Sequence, residues 1–187
     1  MLALQIYLLS GLVLHKVVWE VLKRKAEEKP HEPHSAKLLV IKAFKIFILL
    51  GIMIQIFLPD FLPIAENPRM LRIIGAVIYT AGLLTAVAAR FQLGENWANI
   101  ETGQVLPKQR VVARGVYGFI RHPIYTGDLL LLLGLELALN SWLVLGVFIL
   151  APVVMLKAVR EERMLSEKLP GYEDYRARTK RFIPFVV

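Results

Sequence analysis

Hydrophobicity in this chain comes in long uninterrupted blocks, and that arrangement leaves few architectures open to it. Within 187 residues the blocks run over about 2–22, 38–58, 71–89 and 124–156. The last block is too long for one membrane crossing and is interrupted at Asn140 and Ser141, so it reads as two limbs, about 124–139 and 141–156. A hydrocarbon core of roughly 30 Å takes about 20 apolar residues of helix. Each limb would reach only about 24 Å at 1.5 Å per residue, which predicts a tight hairpin of short helices. Five such blocks carry far more apolar surface than a water-soluble core of this size can bury. The expected fold is all-α: a polytopic integral membrane bundle over residues 1–187, with about five transmembrane helices, the last two forming the hairpin.

Composition agrees with that reading and narrows the chemistry. Hydrophobic residues make up 56% of the chain and charged residues 20%, with a mean hydropathy of +0.54, outside the usual range for a soluble domain. The absence of cysteine excludes a disulfide framework, a thiolate zinc site, an iron-sulfur cluster and a cysteine nucleophile, and no metal site is expected. A net charge of +8 would suit nucleic acid, but the Lys and Arg residues fall between the apolar blocks instead of forming a stripe on a soluble face, so no nucleic-acid partner is expected. The first block has neither a basic leader nor a small-residue cleavage site, and reads as a retained span rather than a signal peptide.

The positive charges also orient the bundle. Lys23, Arg24, Lys25, Lys29 and Lys37 precede the second block, Arg90 to Arg121 lie in the third connection, and eight basic residues from Lys157 to Arg181 follow the last block. Placing all three on one side satisfies the positive-inside rule and puts the N-terminus outside and the C-terminus in the cytoplasm. The connection from 90 to 122 is much longer than packed helices need. It and the segment 157–187 therefore meet at the cytoplasmic face.

Two groups of residues at that face could carry chemistry. Arg121, His122 and Pro123 stand where the long connection re-enters the membrane, and proline suits the first turn of a helix, whose free N–H groups attract anions. Alone, the group reads equally as a helix start with an interfacial histidine, and Tyr117 and Tyr125 as interfacial aromatic anchors. The second group is Arg160, Glu161, Glu162 and Arg163, directly after the last apolar limb. In isolation it is a solvated helix face. The hairpin, however, returns it to the neighbourhood of His122 and Tyr125, which joins imidazole, phenol and carboxylates in one place.

RHPIYTG from Arg121, a hydrophobic stretch, and the pair Glu161–Glu162 together resemble the pattern of the isoprenylcysteine carboxyl methyltransferase family, membrane-embedded enzymes related more distantly to phospholipid N-methyltransferases. GVY at Gly115–Tyr117 and the closing YRARTKRFIPF are similar to family features too, so the resemblance spans about Phe91 to Phe185. It implies an S-adenosylmethionine-dependent methyltransferase that takes the cofactor from the cytoplasm into the connection 90–122 and acts on a lipid-linked acceptor. The acceptor implied is a prenylated small molecule or protein C-terminus, foremost the carboxylate of an isoprenylated cysteine, with membrane lipids as neighbours.

Carried onto this sequence, the resemblance implies a cofactor site of Gln104, Val111, Val112, Tyr117, Arg121, His122, Pro123, Ile124, Tyr125, Glu161 and Glu162. The chemistry suits the ligand: His122 and the helix start can donate to its carboxylate, Glu161 or Glu162 can accept from its amine and hydroxyls, and Tyr117 and Tyr125 can meet its adenine or sulfonium. Arg160 or Lys157 would orient an attacking carboxylate, while an amine acceptor would need a base, Glu162 or His122. No Gly-rich strand-to-helix turn of a soluble nucleotide-binding fold is present. Three other readings stay open: a phospholipid N-methyltransferase, an NADPH-dependent membrane sterol or isoprenoid reductase, which shares the RHPxY string, and a lipid-binding scaffold. Nothing in the sequence specifies oligomeric state.

Polar residues inside apolar blocks are costly and often functional. Lys42 and Lys45 are near enough to an interface to snorkel, and Asp128 is expected to bond Tyr125 or nearby backbone. Gln55 of the second block is another such residue, and Glu136 divides between a neutral, hydrogen-bonded packing residue and part of a lipid tunnel. Gly75 and Gly82 read as close-packing positions.

Overall fold

A computed structural model of the chain describes residues 1–25, 36–96 and 109–183. Among the described residues the chain is all-helical, with no strand: α1 (Leu2–Lys25), α2 (Ala36–Phe57), α3 (Arg69–Leu93), α4 (Pro123–Ala138), α5 (Val144–Lys168) and α6 (Tyr172–Arg178), with 3-10 turns at Gly94–Asn96 and Gly115–Gly118. Two of the described helical segments, Leu2–Leu22 and Arg69–Leu93, are long and apolar enough to cross a membrane, and Ile46–Phe57 is a shorter apolar stretch. Large apolar side chains stand exposed along these helices, among them Phe47, Leu84 and Ile149. A water-soluble surface rarely carries so much contiguous apolar area.

The bundle is organised on α3 and α4. The buried residues of α3, Gly75, Tyr79, Gly82, Leu83, Ala86, Ala89 and Arg90, recur at spacings of three and four and so form one helical face. On α4 the matching face carries Gly127, Leu131, Gly134, Leu135 and Ala138. The glycines are required here by proximity: a Cβ at Gly75 would fall on the main chain of Ala138, and one at Gly134 on the main chain of Tyr79. Small residues at such positions let two helix backbones approach where no side chain could fit. Leu8 of α1 and Ile56 of α2 close the core around Tyr79, Leu83, Leu131 and Leu135, and the Tyr79 hydroxyl donates to the Leu8 carbonyl at 2.6 Å.

One end of the bundle is locked by Asn140. It sits between α4 and α5 with φ of 57°, a left-handed conformation that asparagine tolerates. Its side chain accepts from the N–H groups of Ile64 (3.2 Å) and Ala65 (2.9 Å). It donates to Asp60 Oδ1 (2.7 Å) and to the Ala65 carbonyl (2.9 Å). Arg72 in turn pairs with both oxygens of Asp60 at 2.7 Å. The α2–α3 connection is thereby clamped onto the α4–α5 turn.

Glu136 and Gln55 are both buried, and Gln55 Nε2 donates to Glu136 Oε2 at 2.6 Å, so Glu136 is a satisfied packing residue. Asp128 does not follow the expectation: Tyr125 turns instead to Glu161, and Asp128 Oδ1 pairs with His15 Nε2 of α1 at 3.0 Å. Helix α1, packed on α3 and distant in sequence from α4, supplies a partner that local spacing could not reveal.

Candidate active site

At the end of the bundle opposite Asn140, α4 begins with Pro123 as its first residue and His122 as its cap. Beside this start runs the segment that follows α6. Lys180 N donates to Phe119 O (3.1 Å), Arg121 N to Lys180 O (2.8 Å) and His122 N to Arg181 O (3.1 Å). The N–H groups of Arg121 and His122, just ahead of α4, are thus occupied by this strap. Thr126 Oγ1 reaches the Phe182 carbonyl at 3.2 Å, and the Phe182 ring lies 5.7 Å from that of His122.

The two neighbouring glutamates of α5 part ways. Glu162 is buried and accepts on Oε1 from Arg121 Nε (2.9 Å), His122 Nε2 (3.1 Å) and Arg181 Nε (3.0 Å), and on Oε2 from Arg181 Nη2 (2.8 Å). Arg121 also donates through Nη1 to the carbonyls of Arg176 and Thr179. Burial raises the Glu162 carboxyl, but the hydrogen bonds from His122, Arg181 and Arg121 outweigh it and hold the group well below the usual carboxylate range. Glu161 faces the other way. It accepts from the Tyr125 hydroxyl at 3.0 Å and lies 3.7 Å from His122 Nδ1. Burial pushes its carboxyl up, against the opposing influence of His122, Tyr125 and Lys157.

An open cavity of about 800 Å³, counted out to its mouth, lies beside Glu161. Val111 and Val112, Tyr117, Arg121, His122, Ile124, Tyr125 and Glu161 all line it. The His122 and Tyr125 rings stack at 5.4 Å with 9° between planes. Lys157 Nζ lies 5.5 Å from the centre of the Tyr125 ring. Pro123 and Glu162 are buried behind the cavity wall, and Arg160 is exposed on α5. Gln104 lies outside the described residues.

The rest of the wall combines further residues of the connection expected to take the cofactor with residues of α5 and α6 that the sequence did not single out. Leu93 and Asn96 come from the end of α3, Gln109 and Arg110 from the connection, Met164, Leu165 and Leu169 from α5 and its end, and Tyr172 and Tyr175 from α6. Gly171, at φ of 78°, turns the chain back between α5 and α6, and only that turn brings the two tyrosines to the cavity. Tyr175 donates to the Tyr117 carbonyl at 2.9 Å, and burial pushes its own hydroxyl up to about 12. Burial also raises the Tyr117 and Tyr172 hydroxyls, reinforced by nearby tyrosine and glutamate charge, so all three are neutral donors at ordinary pH. The available signal was the PGYEDY string, in which a glycine turn precedes two tyrosines on one side of a short helix.

Residues 70–170 match the phospholipid methyltransferase family. Among curated proteins, the chain is 38% identical over 76 residues to the cobalt-zinc-cadmium resistance protein CzcN of Cupriavidus metallidurans, covering 40% of this chain and 35% of that one. It is 30% identical over 114 residues to the nickel-cobalt-cadmium resistance protein NccN of Alcaligenes xylosoxydans xylosoxydans, covering 59% and 52%. The chain thus spans between a third and about half the length of the curated relatives it matches. Its fold is similar to that of a eukaryotic intramembrane Ras methyltransferase, isoprenylcysteine carboxyl methyltransferase, with a TM-score of 0.55 at 21% identity over 84% of this chain and 55% of that one.

Proposed function

The chain belongs to the phospholipid methyltransferase family, and from that premise we propose that it is a membrane methyltransferase in which S-adenosylmethionine and a lipid-borne acceptor meet at the cavity beside Glu161. The observation that carries this reading is the convergence of one upward-shifted carboxylate, two stacked rings and neutral tyrosine donors on one open cavity. We place the cavity at the cytoplasmic face of a five-span bundle with its N-terminus outside, as the distribution of positive charge supports.

The residues suit the cofactor's chemistry. Glu161 accepts from an ammonium or hydroxyl, Tyr117 and Tyr125 offer faces to adenine or sulfonium, Arg110 is a donor for a carboxylate, and Val111 and Val112 give an apolar wall for a flat ring. When bound, the cofactor supplies an electrophilic methyl group. What this chain contributes is placement: it excludes water with an apolar wall, neutralises a cation with Glu161 and holds the acceptor in line, and proximity and alignment can supply much of the rate.

For the acceptor, the Lys157 ammonium beside Tyr125 supports an anion, foremost the carboxylate of an isoprenylated cysteine. Such an acceptor is already ionised and needs no base. Arg160, exposed one helical turn further along, is the less direct candidate for orienting it. The raised Glu161 carboxyl beside His122 favours a second reading, an amine of a phospholipid, because a group of that kind can take up the proton released on methylation.

Calorimetry on the purified protein in detergent tests the cofactor. S-adenosylmethionine and its demethylated product should bind and NADPH should not; the reverse result would replace this reading with a reductase. Labelled methyl transfer to a farnesylated cysteine analogue, its unprenylated counterpart and phosphatidylethanolamine then separates the two acceptors.

A further inference from the structure

Glu162 receives Arg121 and His122 from the start of α4, but its fullest partner comes from the strap after α6. Building on the methyltransferase reading, we infer that Arg181 is a positioning residue of the site: its two-point ion pair fixes the Glu162 carboxylate, and the fixed carboxylate sets which ring nitrogen of His122 faces the cavity.

The geometry runs in three steps. Arg181 Nε meets Oε1 at 3.0 Å and Nη2 meets Oε2 at 2.8 Å, a fork-to-fork pairing that fixes the plane of a carboxylate as well as its charge, which an ammonium cannot do. In that plane Oε1 faces Arg121 Nε at 2.9 Å and His122 Nε2 at 3.1 Å. An ionised carboxylate only accepts, so the proton shared with His122 belongs to Nε2. In the neutral ring Nδ1 is then an acceptor. It lies 3.7 Å from Glu161 Oε2, too far for a direct hydrogen bond, on the side of the ring nearer the cavity carboxylate.

The strap does not depend on the Arg181 side chain for its own place. Main-chain bonds to Phe119, Arg121 and His122, together with the Thr126 hydroxyl and the Phe182 ring, hold it against the start of α4. Replacing the side chain therefore removes the fork and leaves the strap. The Arg181 side chain is 25% exposed, against 8% for Arg121, so its loss lets water reach Glu162 without opening a deep void. The ionisable groups facing Glu162 are Arg121, His122, Arg181, Glu161, Tyr172 and Tyr175. Among these, Arg181 alone engages both of its oxygens.

The test uses the full chain in lipid nanodiscs with nitrogen-15 histidine, the His122 ring signals being assigned by their loss in His122→Gln. At a pH where the ring is neutral, wild type should carry the ring proton on Nε2. Arg181→Met should show a mixture of both tautomers, and S-adenosylmethionine should bind roughly ten-fold more weakly, the scale of one charge-assisted hydrogen bond. Arg181→Lys, which restores the charge without the fork, should recover only part of each. A folded Arg181→Met protein with an unchanged His122 spectrum would overturn the inference, as would full rescue by lysine. Should the methionine variant fail to fold, Arg181→Lys against wild type decides by the same spectrum. Failure of wild type to bind S-adenosylmethionine would instead remove the methyltransferase reading, while the ring-nitrogen spectrum still reports whether Arg181 governs His122.

Discussion

The Tyr125 hydroxyl donates to Glu161 Oε2 at 3.0 Å, and this single bond joins the start of α4 to α5 at the wall of the cavity. A neutral phenol partnered with a carboxylate whose ionisation burial opposes makes Tyr125 a support for the charge of Glu161. Tyr125→Phe should keep the stacked ring and lose the donor. The expected result is a three- to ten-fold weaker affinity for S-adenosylmethionine, the equivalent of about 1 kcal/mol, measured by calorimetry, with an unchanged helical circular dichroism spectrum.

Cofactor affinity should also depend on pH in a defined direction. Glu161 must be ionised to accept from an ammonium, and its carboxyl lies above the ordinary 4.5. Affinity should accordingly begin to fall, as pH is lowered, at a higher pH than an exposed glutamate would dictate. Glu161→Gln should bind at least about ten-fold more weakly at neutral pH and show a flattened profile. A profile of unchanged shape in that variant would place the titrating group elsewhere.

Glu162 has the opposite sign and acts on stability. Its folded-state value lies below the unfolded 4.5, so its contribution is fully present above about pH 5.5 and is lost as pH falls through 4.5 toward the folded value. Thermal unfolding in detergent between about pH 7 and pH 4 should show wild type losing midpoint on acidification more steeply than Glu162→Gln. The variant itself should start lower at pH 7, because Arg121 and Arg181 are left facing an amide.

Asn140 separates stability from binding. Asn140→Ala removes four hydrogen bonds from a buried group and puts at φ of 57° a residue that tolerates the left-handed region less well than asparagine. A destabilisation of about 2–4 kcal/mol is expected, read as a lower unfolding midpoint. S-adenosylmethionine affinity at a temperature where the protein remains folded should be unchanged, since the cavity is at the far end of α4.

Gly134→Leu tests the α3–α4 packing. The new side chain would meet the main chain of Tyr79, which cannot yield as a flexible side chain can. A loss of about 3 kcal/mol or more is expected, whereas Gly146→Leu, at a position with nothing within 4 Å, should unfold at close to the wild-type temperature.

Much of the helical fold was legible because apolar runs and their interruptions are local signals. The turn at Asn140 and Ser141 is where hydrophobicity lapses, and the chain does reverse there. The meeting of RHPIY with the glutamate pair was legible for the same reason: a hairpin brings its two open ends together. What spacing could not settle was the division of labour between Glu161 and Glu162. Adjacent residues on a helix point about 100° apart, and which of them meets the cavity depends on a strap that approaches α5 from one side only. Nor did any local signal tie Asp128 to His15, its partner 113 residues away, or bring Tyr172 and Tyr175 to the cavity, which requires the left-handed turn at Gly171.

Where α3 and α4 touch at Gly75, Gly82, Gly127 and Gly134, main chain meets main chain. A contact of this kind has no rotamers to exchange, so it cannot take up a displacement by rearranging. Helix α4, 16 residues long and so about 24 Å, behaves as a strut braced along its length, with the Asn140 clamp at one end and His122 at the other. Helix α5 is braced to it differently, by the Tyr125–Glu161 bond and the charges around Glu162. The close main-chain contact is therefore concentrated in one pair of helices, and the width of the cavity is set by how far side-chain bonds hold α5 from that pair.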